Sequence, residues 1–390
     1  MKVILAGHIL GQGGIQSHIR WLVKALGEEG VETLVLSLRG DKRPTDYSHT
    51  LQTFEECGVR VHICAPDAKG NSFLDLGKVE RFVEIKKLID QFSPDVYLAV
   101  GTGWNLFIPP IISKLNTRLI FHEVMSGIPR GWRDSRWCVR WCFDEVIGQS
   151  PNVAKTFAQC FGWKKSVSAL PAMPEPLEIT ASLPKPVYKT VQLGTAKAAL
   201  FSRLAPHKQA FWLVQHWDLL KNCLCELHIH GSGAEEPLIR EYIASQGIGD
   251  RVKCFGRYPE GQAYIDLLSS YDLTLLPTIG REGAPLVLLE AMACGVPFVA
   301  YGVGGIPDYG VDNPNVIVVP PEPWLISQGK KYTPIEKSQQ RTAFVEGVKS
   351  MAYKLAQGEI NQQQLQQFYM KHYSFEVLKK TWLSYLYNQI

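Results

Sequence analysis

Two parallel, doubly wound α/β sheets in series are what the sequence predicts, and three observations carry the prediction. Short apolar runs alternate with helical patterns from the first residues onward. The alternation stops at Pro171, Pro174, Pro176, Pro184 and Pro186, a proline density that makes a stiff connector rather than an element. A second alternating series then begins near residue 198. Strand, helix, strand at this rhythm implies parallel sheets covered on both faces.

In order, Val3–Ala6 reads as a strand. Ile15–Glu29 is a helix with Ile19, Leu22, Val23 and Leu26 at helical spacing, stopped by Gly30. Val31–Leu38 is the next strand, Val79–Phe92 a helix, and Val96–Val100 and Leu119–His122 are strands. Val146–Ser150 closes the first series. The second series has strands at Ala198–Ser202, Leu224–His230, Val252–Phe255, Leu273–Leu276, Phe298–Tyr301 and Val316–Val319, with helices between, Glu235–Gln246 among them. The stretch 375–390 carries Val377, Leu378, Trp382 and Leu386 at helical spacing and needs an apolar surface to cover. The expected division is a first domain over residues 1–180, rejoined by 375–390, and a second over 190–374.

Composition narrows the function classes. Of 390 residues, 46% are hydrophobic and 20% charged, which excludes a disordered or fibrous chain. Basic residues number 41 against 37 acidic ones, a formal charge of +4 that gives no basic field for nucleic acid. The nine cysteines, Cys57, Cys64, Cys138, Cys142, Cys160, Cys223, Cys225, Cys254 and Cys294, form no Cys-x-x-Cys pair. They read as small buried hydrophobes in a reducing, cytoplasmic compartment. Residues 1–7 are too short an apolar run for a secretion signal, and no stretch is long and apolar enough to span a membrane.

The most informative segment runs Gly280-Arg281-Glu282-Gly283-Ala284-Pro285-Leu286-Val287-Leu288-Leu289-Glu290-Ala291-Met292-Ala293-Cys294-Gly295-Val296-Pro297. It follows the strand Leu273–Leu276 and opens a helix with Pro285 in its first turn, where a missing N–H costs nothing. Gly295 and Pro297 stop the helix. The free amides of Gly283, Ala284, Leu286 and Val287 then make an anion site. Glu282 stands just before it, and Glu290 lies about 7.5 Å along the helix. An anion between two carboxylates suits a sugar nucleotide, with a central phosphate and hydroxyl groups on both sides. The same two glutamates also read as ordinary helix-end and surface charges. Gly11-Gln12-Gly13-Gly14 after the first strand lets backbone approach a phosphate or sugar, or simply turns the chain. It lacks the third glycine that a dinucleotide site requires.

Glu282 and Glu290, eight positions apart, resemble the Glu-x7-Glu signature of retaining glycosyltransferases of family four. Phe201-Ser202-Arg203-Leu204-Ala205-Pro206-His207-Lys208 resembles that family's diphosphate-gripping segment. His230-Gly231-Ser232-Gly233 and Asp250–Arg257, with Tyr258 next, resemble the part leading to the nucleobase, and Gly11-Gln12-Gly13-Gly14-Ile15-Gln16 resembles its N-terminal glycine loop. The resemblance implies a GT-B fold, two Rossmann-like domains facing across a cleft. It also implies transfer of a hexosyl group, with glucose from UDP-glucose as the expected donor. The expected acceptor is a hydroxyl of a saccharide or lipid-linked saccharide in bacterial-type exopolysaccharide or cell-envelope glycan synthesis, with anomeric configuration retained.

Residue by residue, Arg203 and Lys208 would neutralise the leaving diphosphate, and Gly283, Ala284, Pro285 and Leu286 would cradle it. Glu282 would hold sugar hydroxyls and Glu290 the ribose. Gly13, Gly14, Gly231, Arg257 and Tyr258 would complete donor binding. His122 would face the cleft and touch the transferred sugar or leaving phosphate, with Glu123 pointing away; a satisfied histidine at a strand end is the other reading. No Asp-x-Asp occurs, so no metal or other cofactor is expected. Ser202, Gln209 and Ala284 depart from the family pattern without removing a charge. The stretch Arg130–Trp141 places Arg133, Arg136 and Arg140 on one helical face with Trp137 and Trp141 four apart. It reads as a peripheral contact with an anionic membrane, as acceptor site, or as core. A UDP-sugar epimerase and a non-catalytic nucleotide-sugar-binding protein share the same fold and stay open at this stage.

Overall fold

The computed structural model describes residues 1–9, 13–37, 48–63, 79–112, 117–186, 191–280, 282–320 and 334–387. Gly11 and Gln12 of the glycine loop, Leu38, Cys64, Arg281 and residues 388–390 lie outside the described residues. The chain divides into two compact units, Met1–Glu175 with Phe375–Ile390, and Pro176–Ser374.

Unit 1 contains β1 (Lys2–Gly7), β2 (Glu32–Ser37), β3 (Arg60–Ile63), β4 (Val96–Val100), β5 (Arg118–Glu123), β6 (Glu145–Gly148) and β7 (Val167–Ala169). They form one sheet in the order β3-β2-β1-β4-β5-β6-β7, every neighbour parallel. The alternation of a strand explains why both faces need covering. Val3 and Leu5 enter one apolar cluster while Ile4 and Ala6 enter the other, and β4 splits in the same way. Two strands were not expected from sequence. Both are short edge strands: β3 is exposed at Arg60 and only half-buried beyond it, and β7 has three half-buried residues, so neither shows a continuous apolar run. Val146–Ser150 therefore does not close the sheet; Ser150 instead caps the helix Pro151–Phe161, its Oγ accepting from the Val153 amide.

The helix Phe375–Tyr387 buries Phe375, Leu378, Trp382 and Leu386 in the same cluster as Val3, Leu5 and Ile19. Its indole Nε1 at Trp382 donates to the Pro171 carbonyl at 2.9 Å. Arg118, ion-paired with Glu145, also reaches the Leu386 carbonyl at 3.2 Å, meeting the carbonyl-rich end of the helix with a cation.

Unit 2 contains β8 (Ala196–Phe201), β9 (Leu224–His230), β10 (Val252–Gly256), β11 (Leu273–Leu276), β12 (Phe298–Tyr301) and β13 (Ile317–Val319). Their order is β10-β9-β8-β11-β12-β13, again all parallel. Successive strands run outward in one direction from β8 and in the other from β11. The switch between β8 and β11 is where such sheets bind ligands, beyond the carboxyl ends of the strands.

Candidate functional site

Both segments singled out by their charges leave the sheet at that switch. β8 runs into Ser202–Lys208, and β11 into the loop before the helix Leu286–Ala293. The first exit is locked by the neighbouring loop: the Leu204 amide donates to Ser232 O at 2.9 Å, and the Ser202 amide to His230 O at 3.0 Å. Gly231 sits at φ 139°, and a Cβ there would lie 1.7 Å from the Ser202 carbonyl oxygen. Its glycine is thus required by backbone packing, and its own amide is spent on Gly256 O.

A 3₁₀ turn, Pro206–Lys208, then aims Lys208 across to the other exit. Gln209 follows at φ 59°, the left-handed conformation that glycine adopts without strain, which explains why glycine is common there in the resembling family. Ile279 N–H donates to His207 O at 2.9 Å, stitching the two exits together.

Lys208 Nζ ion-pairs with Glu282 Oε1, and only 15% and 11% of these side chains remain exposed. Thr278 Oγ1 lies 3.1 Å from the same carboxylate oxygen and 3.2 Å from His207 O. The Glu282 backbone is held by a second glycine loop. Gly304, at φ 59°, would place a Cβ 2.0 Å from Glu282 O, and the Gly305 amide donates to Gly283 O.

Pro285 departs from its expected place. It is the extended N-cap (φ −62°, ψ 117°), so the first turn belongs to Leu286, Val287 and Leu288, and Gly283 and Ala284 precede it. The amides of Leu286 and Val287 remain first-turn groups without intrahelical acceptors. The helix ends as expected: Gly295 at φ 71° lets its amide reach Met292 O at 3.0 Å and Val296 N–H reach Ala291 O at 2.8 Å.

Glu290 Oε2 accepts from the Tyr264 hydroxyl at 2.6 Å. Burial, then the Glu290 charge, holds that phenol well above its ordinary pKa, so it stays protonated and donating. Tyr258 stacks on Tyr264 with centroids 5.1 Å apart. Arg203 and Arg257 are exposed, Arg257 3.4 Å from Glu260. Tyr264, Thr278 and the Gly304–Gly305 loop were missed by sequence reasoning. The glycines carried a readable signal, Gly302-Val303-Gly304-Gly305 directly after β12; the two hydroxyls carried none.

Unit 1 supplies the remaining candidates. Gly13, at φ 151°, precedes the helix Gly14–Glu28, which Gly14 opens. His122, expected to face the cleft, is buried. Its imidazole is fully buried at the end of β5, edge-on to His18 (4.9 Å) and to Trp382 (5.1 Å). Glu123 does point the other way, into Arg136 at 3.0 Å.

That contact corrects the reading of Arg130–Trp141. Asp134 caps a 3₁₀ turn, Ser135–Cys138, and a short helix, Val139–Cys142, follows, so the three arginines do not share one helical face. Arg136 is 1% exposed, clamped between Glu123 and Asp134. Its guanidinium feels burial pulling its pKa down, but the two carboxylates raise it above the ordinary value overall. Trp137 packs on Phe161. Trp132 and Trp141 instead stand 81% and 69% exposed, each with an arginine stacked on its ring, Arg133 at 4.5 Å and Arg140 at 4.1 Å. Among the described residues, no helix is long and apolar enough to cross a membrane, and no group of three or more His, Cys, Asp or Glu could hold a metal ion.

The model of the family described as Glycosyl transferases group 1 matches residues 196–326, the segment holding both strand exits. A GDP-mannose-dependent monoacylated α-(1-6)-phosphatidylinositol monomannoside mannosyltransferase of Corynebacterium glutamicum is 30% identical over 309 residues, 76% of this chain and 78% of that protein. A 2-deoxystreptamine N-acetyl-D-glucosaminyltransferase of Streptomyces fradiae is 24% identical over 78% of this chain and 79% of its own. Among solved structures, Anabaena HepE in complex with UDP and glucose superposes with a TM-score of 0.70 over 100% of both chains at 15% identity. The two-sheet architecture is thus that of the GT-B enzymes, and the chain belongs to the group 1 glycosyltransferases, of the family-four type.

Proposed function

We propose that the protein transfers a hexosyl group from a nucleoside diphosphate hexose, UDP-glucose first, to a hydroxyl of a saccharide or lipid-linked saccharide. The configuration is retained and no metal is used. The observation that carries this reading is the largely buried Lys208–Glu282 pair at the sheet switch, beside the first turn of Leu286–Ala293. A diphosphate entering there meets the Lys208 ammonium and the Leu286 and Val287 amides, with Arg203 at the same strand exit. These groups stabilise charge where a divalent ion otherwise would.

Glu282, relieved of part of its ion pair, accepts hydrogen bonds from the sugar hydroxyls. Glu290, steadied by Tyr264, takes those of the ribose. His122 of unit 1 meets the transferred sugar or the leaving phosphate. The bond from the anomeric carbon to the diphosphate oxygen breaks while the acceptor oxygen attacks from the same face. The acceptor proton passes to the departing phosphate.

The test is turnover of UDP-glucose, GDP-mannose and UDP-N-acetylglucosamine with a panel of saccharide acceptors, with and without EDTA. Nucleoside diphosphate release that survives EDTA, with product anomers matching the donor, is expected. Inverted product or abolition by EDTA overturns the mechanism. Isomerised nucleotide sugar without acceptor would make the protein an epimerase, and binding without turnover would make it non-catalytic. GDP-mannose is the second donor reading, favoured by the Corynebacterium relative.

The acceptor side of the reading includes a lipid surface. Exposed Trp132 and Trp141 with stacked arginines form the amphipathic, cationic combination that settles at an anionic bilayer. Co-sedimentation with phosphatidylglycerol vesicles is expected to be lost in W132A/W141A and absent with phosphatidylcholine alone. Equal binding by the variant would remove this contact from the proposal.

A further inference from the structure

The buried histidine pair of unit 1 is a directed relay whose proton positions can be deduced. His18 lies one turn into the helix Gly14–Glu28. Its Nδ1 accepts the Met173 amide at 2.9 Å. A backbone N–H can only donate, so Nδ1 presents a lone pair. Burial pushes the His18 pKa down to about 3, so the ring is neutral and its single proton sits on Nε2. That Nε2–H faces His122 Nδ1 at 3.1 Å and donates to it.

His122 is neutral for the same cause, burial first and His18 second. With Nδ1 accepting, its own proton must be on Nε2. That Nε2 is buried and, among the described residues, has no hydrogen-bond partner. An orphaned buried donor is destabilising and calls for a reason outside the fold. Trp382 on one side and His18 on the other keep the ring from turning to find a protein acceptor.

We propose that His18 is a positioning residue: relaying the Met173 amide, it locks His122 as an Nε2–H donor for an oxygen of the nucleotide-sugar substrate. This rests on the reading above that His122 meets the donor. It also assigns what His122 does not do. One ring nitrogen is occupied by His18 and the other already carries a proton, so His122 cannot take the acceptor's proton. The departing phosphate oxygen therefore remains the proton's destination.

Two measurements test the relay. In wild-type protein with 15N-labelled histidine, long-range 1H–15N spectra should show both rings as Nε2–H tautomers; an Nδ1–H form at either overturns the proposal without any substitution. His18→Leu removes both hydrogen bonds and is expected to lower kcat by about 10- to 100-fold with donor KM little changed, the size seen when groups orienting a reactive residue are removed. In His18→Gln the side-chain carbonyl can accept from Met173 and the amide can donate to His122, so most of the activity should return. A fully active His18→Leu beside an inactive His122→Phe overturns the positioning role alone. A fully active His122→Phe overturns the underlying reading and this proposal with it. Equal losses in His18→Leu and His18→Gln, with matched thermal melting, also overturn it, because packing rather than proton placement would then be at stake.

Discussion

Lys208→Met is expected to lower turnover by about 10²- to 10³-fold, the cost of removing one preorganised group from a developing anion. It should also loosen unit 2. The substitution leaves the Glu282 carboxylate 11% exposed, with Thr278 but, among the described residues, no cation against it. An uncompensated charge that is largely out of water is strongly destabilising, whereas removing both partners is close to neutral. The double variant K208M/E282Q should therefore recover the melting temperature lost in Lys208→Met while remaining as inactive. Thermal melts and nucleoside diphosphate release on the two proteins separate the roles. If the second substitution restores activity along with stability, Lys208 serves only to neutralise Glu282 and the diphosphate role falls.

Arg136→Met should produce the largest loss of stability, about 3–5 kcal/mol, because it strands two carboxylates in the interior of unit 1. Arg136, Glu123 and Asp134 are 1%, 0% and 2% exposed at the side chain. The guanidinium ties the end of β5 to the Asp134-capped turn that lies between Trp132 and Trp141, and it donates to the Ile128 carbonyl at 2.7 Å as well. At roughly 2–4 °C per kcal/mol for a unit of this size, the unit 1 transition should fall by about 10 °C.

The same cluster gives acid sensitivity a sign. Burial alone would raise the Asp134 pKa, but hydrogen bonds from Arg136 and the Arg130 amide bring it below its ordinary 3.8. Its stabilising contribution is complete above that value and is lost as pH falls toward the lowered native one. Wild type should therefore weaken below about pH 4, a loss attenuated in Arg136→Met, where the main cause of the depression is gone. An unchanged melting temperature in the variant would show that the clamp contributes nothing.

Where both faces of a strand are covered, the fold was legible. Leu224–His230, Leu273–Leu276 and Phe298–Tyr301 lie where their apolar runs place them, because strands covered on both faces are rich in apolar residues rather than alternating. The edge strands β3 and β7 were not, since an edge is half solvated and short. In the site, the charged residues could be read because Lys208, Glu282 and Glu290 have few reasons to sit at strand exits and a helix start. Tyr264 could not: it meets Glu290 from a helix 26 residues upstream, and its sequence neighbourhood is that of any amphipathic helix. Arg136 was misplaced for a related reason. Helical spacing groups it with Arg133 and Arg140, but the Asp134 cap breaks the segment into two short turns and redirects that one side chain inward. The burial of His122 depends on Trp382, a residue 260 positions later whose approach no local pattern announces.

The last helix gives synthesis an order. Pro176–Ser374 is one uninterrupted stretch, while the other unit is completed by residues from 375 onward. As the nascent chain emerges, the slot between β1, the Gly14–Glu28 helix and His122 must wait open until Trp382 leaves the ribosome, by which time the later-made half can already have folded. Trimming or tagging that reaches Trp382 would thus expose the imidazole relay to water in the same stroke, so a loss of activity in such proteins would not indicate a damaged nucleotide site.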